Sequence, residues 1–318
     1  MHGARAGGEV AAQIAPISMS ALALFTEALM TRIAILADIH GNLPALTAVL
    51  ADLDHVAPDQ VIVNGDVINR GPQSRECLDV VRSMGWPVVY GNHEDYALKY
   101  DVGIDDDPDS YSDFWLPIRL VAEQELSADD LEYLRTLPRA YVLDLPGLPA
   151  VRLVHGSMRG LSDGMGFWMS DEELINAVRD APEPVVIGAH THRPLDRHVG
   201  TRWVLNSGAV GMPYNGDPHA QYLQLEGRGG AWSAEFRQVP YDRAEVYAAW
   251  DRCEYITTAM SAQIFKYELE TATFHLGIYL KFCKRHGLER NTMASVERYR
   301  YATRDVKPGR SASLSQAS

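Results

Sequence analysis

Residues 30–42 of the 318-residue chain have the sequence MTRIAILADIHGN, and this stretch decides the fold. Its apolar run at 33–37 has the length and composition of a strand buried on both faces of a parallel sheet. Asn42 can cap a following helix, Pro44 suits the first turn of that helix, and apolar residues then recur at helical spacing. The stretch therefore predicts a β-strand that leads through a polar turn into an α-helix.

The same alternation continues beyond this helix. Apolar runs at 61–63 and 88–90 predict two further strands, separated by a helix that ends at Gly85. This βαβαβ order is typical of an α/β sheet. Further strands are predicted at 139–144, 151–154, 185–187, 195–199, 202–206, 221–226 and 232–238. The alternating pattern of these later strands indicates a second, more antiparallel sheet.

Breaks in the pattern predict how the chain is divided. A disordered extension or an upstream start codon is favoured for the first 29 residues over a signal peptide. The main domain is expected to carry a small helical cap insertion with helices near 113–124 and 128–136. The predicted parts are an extension at 1–29, the main domain at 30–241 with its cap insertion at 101–137, a helical extension at 242–304 and a disordered tail at 305–318.

Composition and charge exclude several classes of protein. Apolar residues make up 46% and acidic residues outnumber basic ones by 42 to 29, for a net charge of −13. This charge would repel a nucleic-acid backbone, so no stable nucleic-acid partner is expected. No run approaches the ~20 apolar residues of a membrane-spanning helix, so no membrane partner is expected either. Three widely spaced cysteines, Cys77, Cys253 and Cys283, predict no disulfide framework and a reducing, cytoplasmic location.

Residues of metal-binding type follow the predicted strands. They are Asp38, His40, Asp66, Asn92, His93, His155, His190 and His192. Because ligands bind at the carboxyl ends of strands in open α/β sheets, we expect these side chains at one edge. Residues two apart on an extended segment point the same way, so Asp38 with His40, and His190 with His192, should each face one site. Oxygen and imidazole ligands without thiolate favour manganese, iron or zinc.

Each of these segments alone has an ordinary structural interpretation. An Asp-x-His pair is common by chance, the His190–His192 pair could form a surface turn, and Asp66 could cap a loop. Five such segments in one order favour a metal site over chance. The remaining histidines lack this context and are interpreted as surface or packing residues: His2, His55, His198, His219, His275 and His286.

In this order the segments resemble the signature of the calcineurin-like metallophosphoesterase family. The family pattern is DxH, GDxxxRG, GNH[DE], H and GHxH. It is matched by residues 38–40, 65–71, 91–94, 155 and 188–192, with one extra residue after Gly188. The segments NSGAVG at 206–211 and GDP at 216–218 also resemble the small bacterial branch of phosphodiesterases and diadenosine tetraphosphatases.

The resemblance, which covers about 30–240, implies a four-layer α/β/β/α sandwich with a dinuclear metal site, most simply manganese or iron, with zinc left open. By position it assigns Asp38, His40 and His192 to one metal, Asn92, His155 and His190 to the other, and Asp66 to both. It implies attack of a metal-bridging hydroxide on phosphorus. His93 would then protonate the leaving oxygen, and Arg70 would clamp the phosphate, unless Arg70 is a structural ion-pair partner.

Asn69 departs from the protein serine/threonine phosphatase branch, in which an aspartate usually orients the catalytic histidine. An amide can still hold the His93 imidazole, although it would stabilise the imidazolium less. The first hypothesis is therefore a metal-dependent phosphoesterase acting on a small phosphodiester or phosphomonoester, with a nucleotide left open. The alternatives are a diadenosine tetraphosphatase, a protein phosphatase-like hydrolase and, in another class, a non-catalytic scaffold. The presence of His93 and of all seven ligand positions favours an enzyme.

Three further predictions concern specificity and assembly. Arg159, in the loop after His155, is a candidate second phosphate contact beside Arg70 and Asn92. The aromatic residues of the cap insertion could stack on a nucleobase, but forming the core of the cap is the favoured interpretation: Tyr111, Phe114 and Trp115. The helical extension is expected to pack on the main domain, with a dimer contact as the alternative, through Ile256, Met260, Ile264, Phe265 and Leu269.

Overall fold

The computed structural model describes residues 30–103, 108–253 and 259–305. The predictions made for 1–29, for residues 104–107 of the cap insertion, for Ile256 and for nearly all of the tail lie outside these ranges. Within them the chain forms two β-sheets that pack face to face, with helices on the outer face of each. This is the expected four-layer α/β/β/α arrangement.

The first sheet has the strand order β2-β1-β8-β9. Its strands are β1 (Thr31–Leu36), β2 (Gln60–Val63), β8 (Ala220–Arg228) and β9 (Ala231–Val239). β1 runs parallel to β2 and antiparallel to β8, which forms a hairpin with β9. The expectation that the last two strands belong to the second sheet is therefore wrong. β8 is buried along most of its length, and β9 alternates between buried and more exposed positions. Neither pattern specifies the strand edge on which the two strands pair.

The second sheet has the order β3-β4-β5-β7-β6 and is mixed. Its strands are β3 (Ala140–Leu143), β4 (Val151–Val154), β5 (Val185–Gly188), β6 (Leu195–Val199) and β7 (Arg202–Asn206). The inner pairs are parallel and the two edge pairs are antiparallel. The third strand predicted at 88–90 is reduced to an isolated parallel bridge between Val63 and Val88.

Helices cover both sheets and one end of the molecule. They are α1 (Leu43–Val56), α2 (Ser74–Met84), α3 (Asn92–Val102), α4 (Leu116–Leu120), α5 (Ala128–Thr136), α6 (Asp171–Ala177), α7 (Arg243–Arg252), α8 (Met260–Thr271), α9 (Leu276–His286) and α10 (Met293–Thr303). The Asn42 side chain accepts a hydrogen bond from the Ala45 N–H at 3.1 Å and caps α1 as predicted. Gly85 ends α2 in a left-handed conformation, as its position indicated. No helix among the described residues is long and apolar enough to cross a bilayer.

The cap insertion and the helical extension pack on each other. Phe114 of the insertion is buried in a cluster with Tyr279 and Tyr299 of the extension, so the core it joins is shared with the extension and is not the cap's own, which the sequence had favoured. Phe265 of α8 packs with Tyr214, in the loop between β7 and β8. The extension therefore contacts both the insertion and the main domain, as expected, at the end of the sheets where the strand-end loops meet.

A partly buried polar contact joins α1 to the first sheet and leads to a prediction. Arg237 on β9 donates two hydrogen bonds to the Asp52 carboxylate on α1, at 3.0 and 2.9 Å, and the Tyr222 hydroxyl donates a third at 2.7 Å. Burial alone would raise the pKa of Asp52, but hydrogen bonds from Arg237 and Tyr222 hold it below its ordinary value. We expect Asp52→Asn to lower the free energy of unfolding by about 1–2 kcal/mol at pH 7, measured by urea denaturation.

The pH dependence of this effect has a definite sign. A depressed carboxyl pKa contributes stability above the unfolded pKa of about 4, and this contribution is lost as the pH falls through the folded pKa. The gap between wild type and Asp52→Asn should therefore narrow below pH ~4. Asp54→Asn, at an exposed position of the same helix, is the control and should unfold like the wild type. A gap of equal size at pH 3 and pH 7 would contradict the assignment.

Candidate metal centre

The ends of β1, β2, β4 and β5 meet the first turn of α3 at one edge of the sandwich. All eight residues that the sequence singled out lie there, and only His190 is more than slightly exposed. Their ligand atoms form three overlapping groups within which all atoms lie within 4.8 Å of one another. These groups are Asp38–His40–His192, His40–Asp66–His93 and Asp66–His155–His190.

The first group brings together Asp38, His40 and His192. The His192 Nε2 lies 3.4 Å from the Asp38 Oδ1, and the His40 Nε2 lies 3.8 Å from the same oxygen. The two imidazole Nε2 atoms are 3.1 Å apart. Two nitrogens and one carboxylate oxygen thus face a common point.

The third group, Asp66–His155–His190, surrounds the Asn92 side chain. Its Oδ1 lies 3.0 Å from the His155 Nε2 and 2.7 Å from the His190 Nδ1. The Asp66 Oδ2 lies 3.2 Å from the same His155 nitrogen and 3.6 Å from the His40 Nε2 of the first group. Asp66 therefore lies between the two groups, where one carboxylate can serve both.

The backbone of the site is strained. Left-handed φ angles occur at seven of its non-glycine residues: Asp38 (51°), His40 (49°), Asp66 (55°), Asn69 (67°), Arg70 (69°), His190 (64°) and His192 (56°). Such a conformation costs on the order of 1–3 kcal/mol per residue and is common at functional sites. The assumption that the Asp-x-His and His-x-His pairs are extended is therefore wrong. His190 and His192 consequently point to different groups instead of one.

Neighbouring backbone holds these loops in place. The Val210 and Gly211 N–H groups donate to the Ala37 and Asp38 carbonyls at 2.9 and 3.0 Å. A Cβ atom at Gly211 would lie 1.8 Å from the Ile39 carbonyl oxygen, so the close approach requires glycine. This contact gives the NSGAVG segment a structural role in supporting the Asp38 loop.

Three histidines have their second ring nitrogen committed to a backbone carbonyl. The Nδ1–O pairs are His40–Ile68 at 3.3 Å, His155–Asn64 at 2.8 Å and His192–Met212 at 2.6 Å. Donation from Nδ1 places the Nε2 lone pair toward the cluster, which is the tautomer a metal ligand needs. The ring orientations therefore fit metal binding.

The electrostatics of the cluster also fit a cation. Burial raises the pKa of Asp38, whose Oδ1 is buried and has no hydrogen-bond partner among the described residues. Burial alone would lower the pKa of His155, but the Asp66 carboxylate raises it to about 10. The Asp66 carboxylate thus draws positive charge into a buried site, and a cation bound beside Asp38 would favour the ionised form of that carboxyl. Carboxylate, amide and imidazole donors suit manganese, iron or zinc.

Glu94 is the last residue of the GNH[DE] match at 91–94, to which no role was assigned, and it supports the Asp66 loop. Its Oε2 accepts hydrogen bonds from the Asp66 and Gly91 N–H groups, and its Oε1 accepts one from Val67, all at 2.9 Å. The side chain is fully buried. Its place in the first turn of α3, directly after the ligand segment, is the signal that could have identified it.

The Glu94 contacts predict a measurable effect. In Glu94→Gln the amide NH₂ would face backbone donors, so at least one of the three hydrogen bonds is lost. We expect a loss of about 2 kcal/mol in unfolding free energy and about 10–100-fold weaker metal binding. Urea denaturation and metal content after dialysis measure these quantities. Glu132→Gln, at an exposed position of α5, is the matched control, and equal behaviour of the two variants would refute the role.

Asn69 does not hold the His93 ring as anticipated. Its Nδ2 donates to the His93 backbone carbonyl at 3.1 Å, because the left-handed turn at Asn69 directs the amide to the start of α3. The His93 Nε2 instead lies 3.2 Å from the Arg70 Nε. Burial lowers the pKa of His93 to about 3, so the ring is neutral in this arrangement.

Arg70 forms the ion pair that the sequence left as its alternative role. Its Nη1 lies 3.0 Å from the Glu268 Oε2 and 2.5 Å from the Tyr214 hydroxyl, and its guanidinium covers the Phe265 ring at 4.9 Å. Glu268 is fully buried on α8. The helical extension thus contacts Arg70 through the Glu268 carboxylate and the Phe265 ring. The sequence pattern contains no signal for the Glu268 contact.

Two cavities open beside the cluster, with volumes of about 570 and 410 Å³. Both are lined by Arg70, Ser162, His190 and Leu276. Trp115 lines the smaller cavity, whereas Tyr111 packs edge-on against Tyr100.

Arg159 lines neither cavity, contrary to its prediction as a phosphate contact. Its guanidinium is paired with Asp163 at 2.6 and 2.8 Å in an exposed position. The loop after His155 turns this side chain away from the site.

Comparison with known proteins is consistent with this geometry. The family model for the calcineurin-like phosphoesterase superfamily domain matches residues 31–228. A metallophosphoesterase of Sphaerobacter thermophilus, known from its crystal structure, is similar with a TM-score of 0.60 and 26% identity, over 76% of this chain and 100% of that one. An uncharacterized protein of Methanocaldococcus jannaschii is 24% identical over 231 residues, which is 68% of this chain and 90% of that protein.

A shorter similarity concerns one enzyme class. The symmetrical bis(5′-nucleosyl)-tetraphosphatase of Yersinia enterocolitica is 40% identical over 73 residues. The match spans 22% of this chain and only 25% of the tetraphosphatase.

Proposed function

The chain belongs to the calcineurin-like phosphoesterase superfamily, and from this premise we propose that it hydrolyses a small phosphodiester or phosphomonoester with two metal ions. One observation carries the proposal. Asp66 lies between two groups of buried imidazole and oxygen donors, at 3.2 Å from His155 and 3.6 Å from His40. A shared carboxylate between two donor groups is what a dinuclear site requires.

The proposed ligands follow the two groups. Asp38, His40 and His192 would hold one metal, and Asn92, His155 and His190 the other, with Asp66 shared. Metals bound there would supply a water of lowered pKa and offset charge on the phosphoryl oxygens. Manganese or iron is the proposed ion, and zinc has compatible donors.

Arg70 is proposed to bind the phosphoryl group. Its Nη1 and Nε are engaged by Glu268, Tyr214 and His93. Its Nη2 makes no hydrogen bond to any residue in the described ranges, and the side chain lines both cavities. Nη2 is therefore the donor left for a phosphoryl oxygen, held at a fixed angle by the other contacts.

His93 is proposed to protonate the leaving oxygen. It lines the smaller cavity, so the leaving group would lie on that side of the phosphate. Because the ring is neutral in this arrangement, the acid role needs proton uptake together with the substrate, whose negative charge favours the imidazolium.

The test is hydrolysis of bis-p-nitrophenyl phosphate and p-nitrophenyl phosphate by the Mn²⁺-loaded protein, with His93→Ala as the variant. We expect metal-dependent turnover that falls about 10²–10⁴-fold in His93→Ala. The faster ester would decide between diesterase and monoesterase. Absence of turnover of either ester with both metals bound would favour a narrow nucleotide substrate or the scaffold hypothesis. Unchanged turnover in the variant would remove His93 as the acid for these substrates.

The state of the cysteines bears on the cellular setting. Cys77, Cys253 and Cys283 take part in no disulfide in the described residues. Cysteines stay outside disulfides in a reducing compartment, so we propose that the enzyme acts in the cytoplasm.

A further inference from the structure

The larger cavity is more aromatic than hydrolysis of a simple phosphate ester requires. It has a volume of about 570 Å³, which suits a small organic ligand, and it reaches the site through Arg70 and His190. Its outer wall is formed by Phe167, Trp168 and Phe274. A ligand in this cavity would therefore touch the proposed phosphate position and an aromatic wall at once.

These aromatic rings are left open to solvent. Phe167 is 52% exposed and Trp168 is 57% exposed, although both are large apolar side chains. They contact each other edge-on at 5.3 Å, and Phe274 leans on Tyr214 at 5.5 Å. Exposed aromatic residues grouped around one cavity indicate a binding surface for a flat ring.

Arg193 adds a charge to the same wall. It is only 7% exposed, and no other arginine in the described residues is classed as buried. Its guanidinium stacks on Phe167 at 5.4 Å and makes no hydrogen bond or ion pair in the described part of the chain, whereas its backbone N–H donates to the Thr191 Oγ1 at 3.4 Å. The guanidinium thus lines the cavity without a carboxylate partner among the described residues, so this position favours an anionic ligand.

We propose that this cavity binds an aromatic substituent of the substrate that carries its own anionic group, as a nucleoside phosphate unit does. The ring lies against Trp168, and the anionic group pairs with Arg193. The inference rests on the proposed function, because it places the scissile phosphate at Arg70 and His190. Since His93 lines the other cavity, the substituent held here is the one that stays with the phosphate. The substrate class is therefore a diester or anhydride of a nucleotide.

Binding of four probes to the Mn²⁺-loaded protein, measured by calorimetry, tests the assignment. AMP and ribose 5-phosphate carry the same phosphate and differ in the ring, ADP adds one anionic group to AMP, and adenosine lacks phosphate. We expect AMP to bind about 10-fold more tightly than ribose 5-phosphate, the effect of one base–aromatic stack. ADP should bind more tightly than AMP.

Two variants separate the contributions. Trp168→Ala should weaken AMP and adenosine about 10-fold and leave ribose 5-phosphate unchanged. Arg193→Gln should remove the advantage of ADP over AMP, and Arg193→Lys should restore part of it. Tyr301→Ala, an exposed aromatic position on α10, is the matched control and should bind all probes like the wild type.

The outcomes distinguish this inference from the proposed function. The inference would be overturned if AMP and ribose 5-phosphate bind with equal affinity, or if Trp168→Ala loses affinity equally for both. This holds even if simple esters are hydrolysed. An ADP advantage that survives in folded Arg193→Gln would overturn the role of Arg193. Ring-dependent binding of adenosine without hydrolysis of any ester would support the cavity and reject the phosphoesterase.

Discussion

Asp66→Asn is expected to abolish high-affinity binding of metal and to lower phosphoester turnover on the order of 10³-fold, the effect of losing several kcal/mol of charge stabilisation. The Asp66 Oδ2 faces ligand nitrogens of His155 and His40, and it would be replaced by a neutral NH₂ or oxygen. The Oδ1 accepts a hydrogen bond from the His93 N–H at 2.9 Å. An asparagine oxygen can keep that bond, so the fold should survive the change.

Metal content by atomic emission and turnover of bis-p-nitrophenyl phosphate measure the effect of Asp66→Asn. Asp163→Asn is the control, because Asp163 pairs with Arg159 and lines neither cavity. A folded Asp66→Asn protein that keeps two metals and turns over within 10-fold of the wild type would rule out a shared carboxylate at this position.

Glu268→Ala should lower the free energy of unfolding by about 3–5 kcal/mol, because it leaves the largely buried Arg70 guanidinium without its partner. The Glu268 Oε2 also accepts from the Tyr214 hydroxyl at 2.6 Å. Its Oε1 accepts from the His275 and Leu276 N–H groups at 2.8 and 2.7 Å. The change therefore leaves three donors without an acceptor, and the charged Arg70 Nη1 keeps only the Tyr214 hydroxyl.

The same contact links the helical extension to the chemistry. Without the Glu268 carboxylate, the Arg70 guanidinium is restrained by fewer contacts. We therefore expect the KM for a phosphate ester to rise in the folded fraction of Glu268→Ala. Glu268→Gln keeps the shape and one acceptor oxygen, and should show a smaller loss of stability. Glu270 pairs with Arg300 in a partly exposed position. Glu270→Ala should therefore lower the free energy of unfolding by less than about 1 kcal/mol. Urea denaturation compares the three, and equal losses at Glu268 and Glu270 would disprove the buried contact.

The first two strands of the first sheet and the clustering of the polar segments were predictable because the signals are local. The run at 33–37 and the glycine-flanked polar segments after each strand report burial and chain reversal within a few residues. Helix ends were predictable for the same reason, as at Asn42 and Gly85. The prediction that the chain has no disulfide framework required only the number and the spacing of its cysteines.

The errors arose where an inference needed the position of distant chain segments. The pairing of β8 with β1 joins residues about 190 positions apart, such as Ile33 and Leu225, and no local pattern specifies it. The extended geometry assumed for the pairs 38–40 and 190–192 failed because the loops are held in left-handed conformations by contacts from other segments. Arg159 lies in the loop after His155, but its guanidinium pairs with Asp163 instead of facing the site.

The sequence by itself determined the fold family and which residues carry the donor atoms, because both depend on residue type and order along short segments. Only the tertiary structure decided how those atoms are aimed, with Asp66 between two groups and Arg70 held by Glu268. It also brought Arg193 and Trp168 to one wall of a cavity beside the site. Such placements depend on packing between segments far apart in the chain, where the free energy of burying a charge or an aromatic ring is set by neighbours that no local pattern encodes.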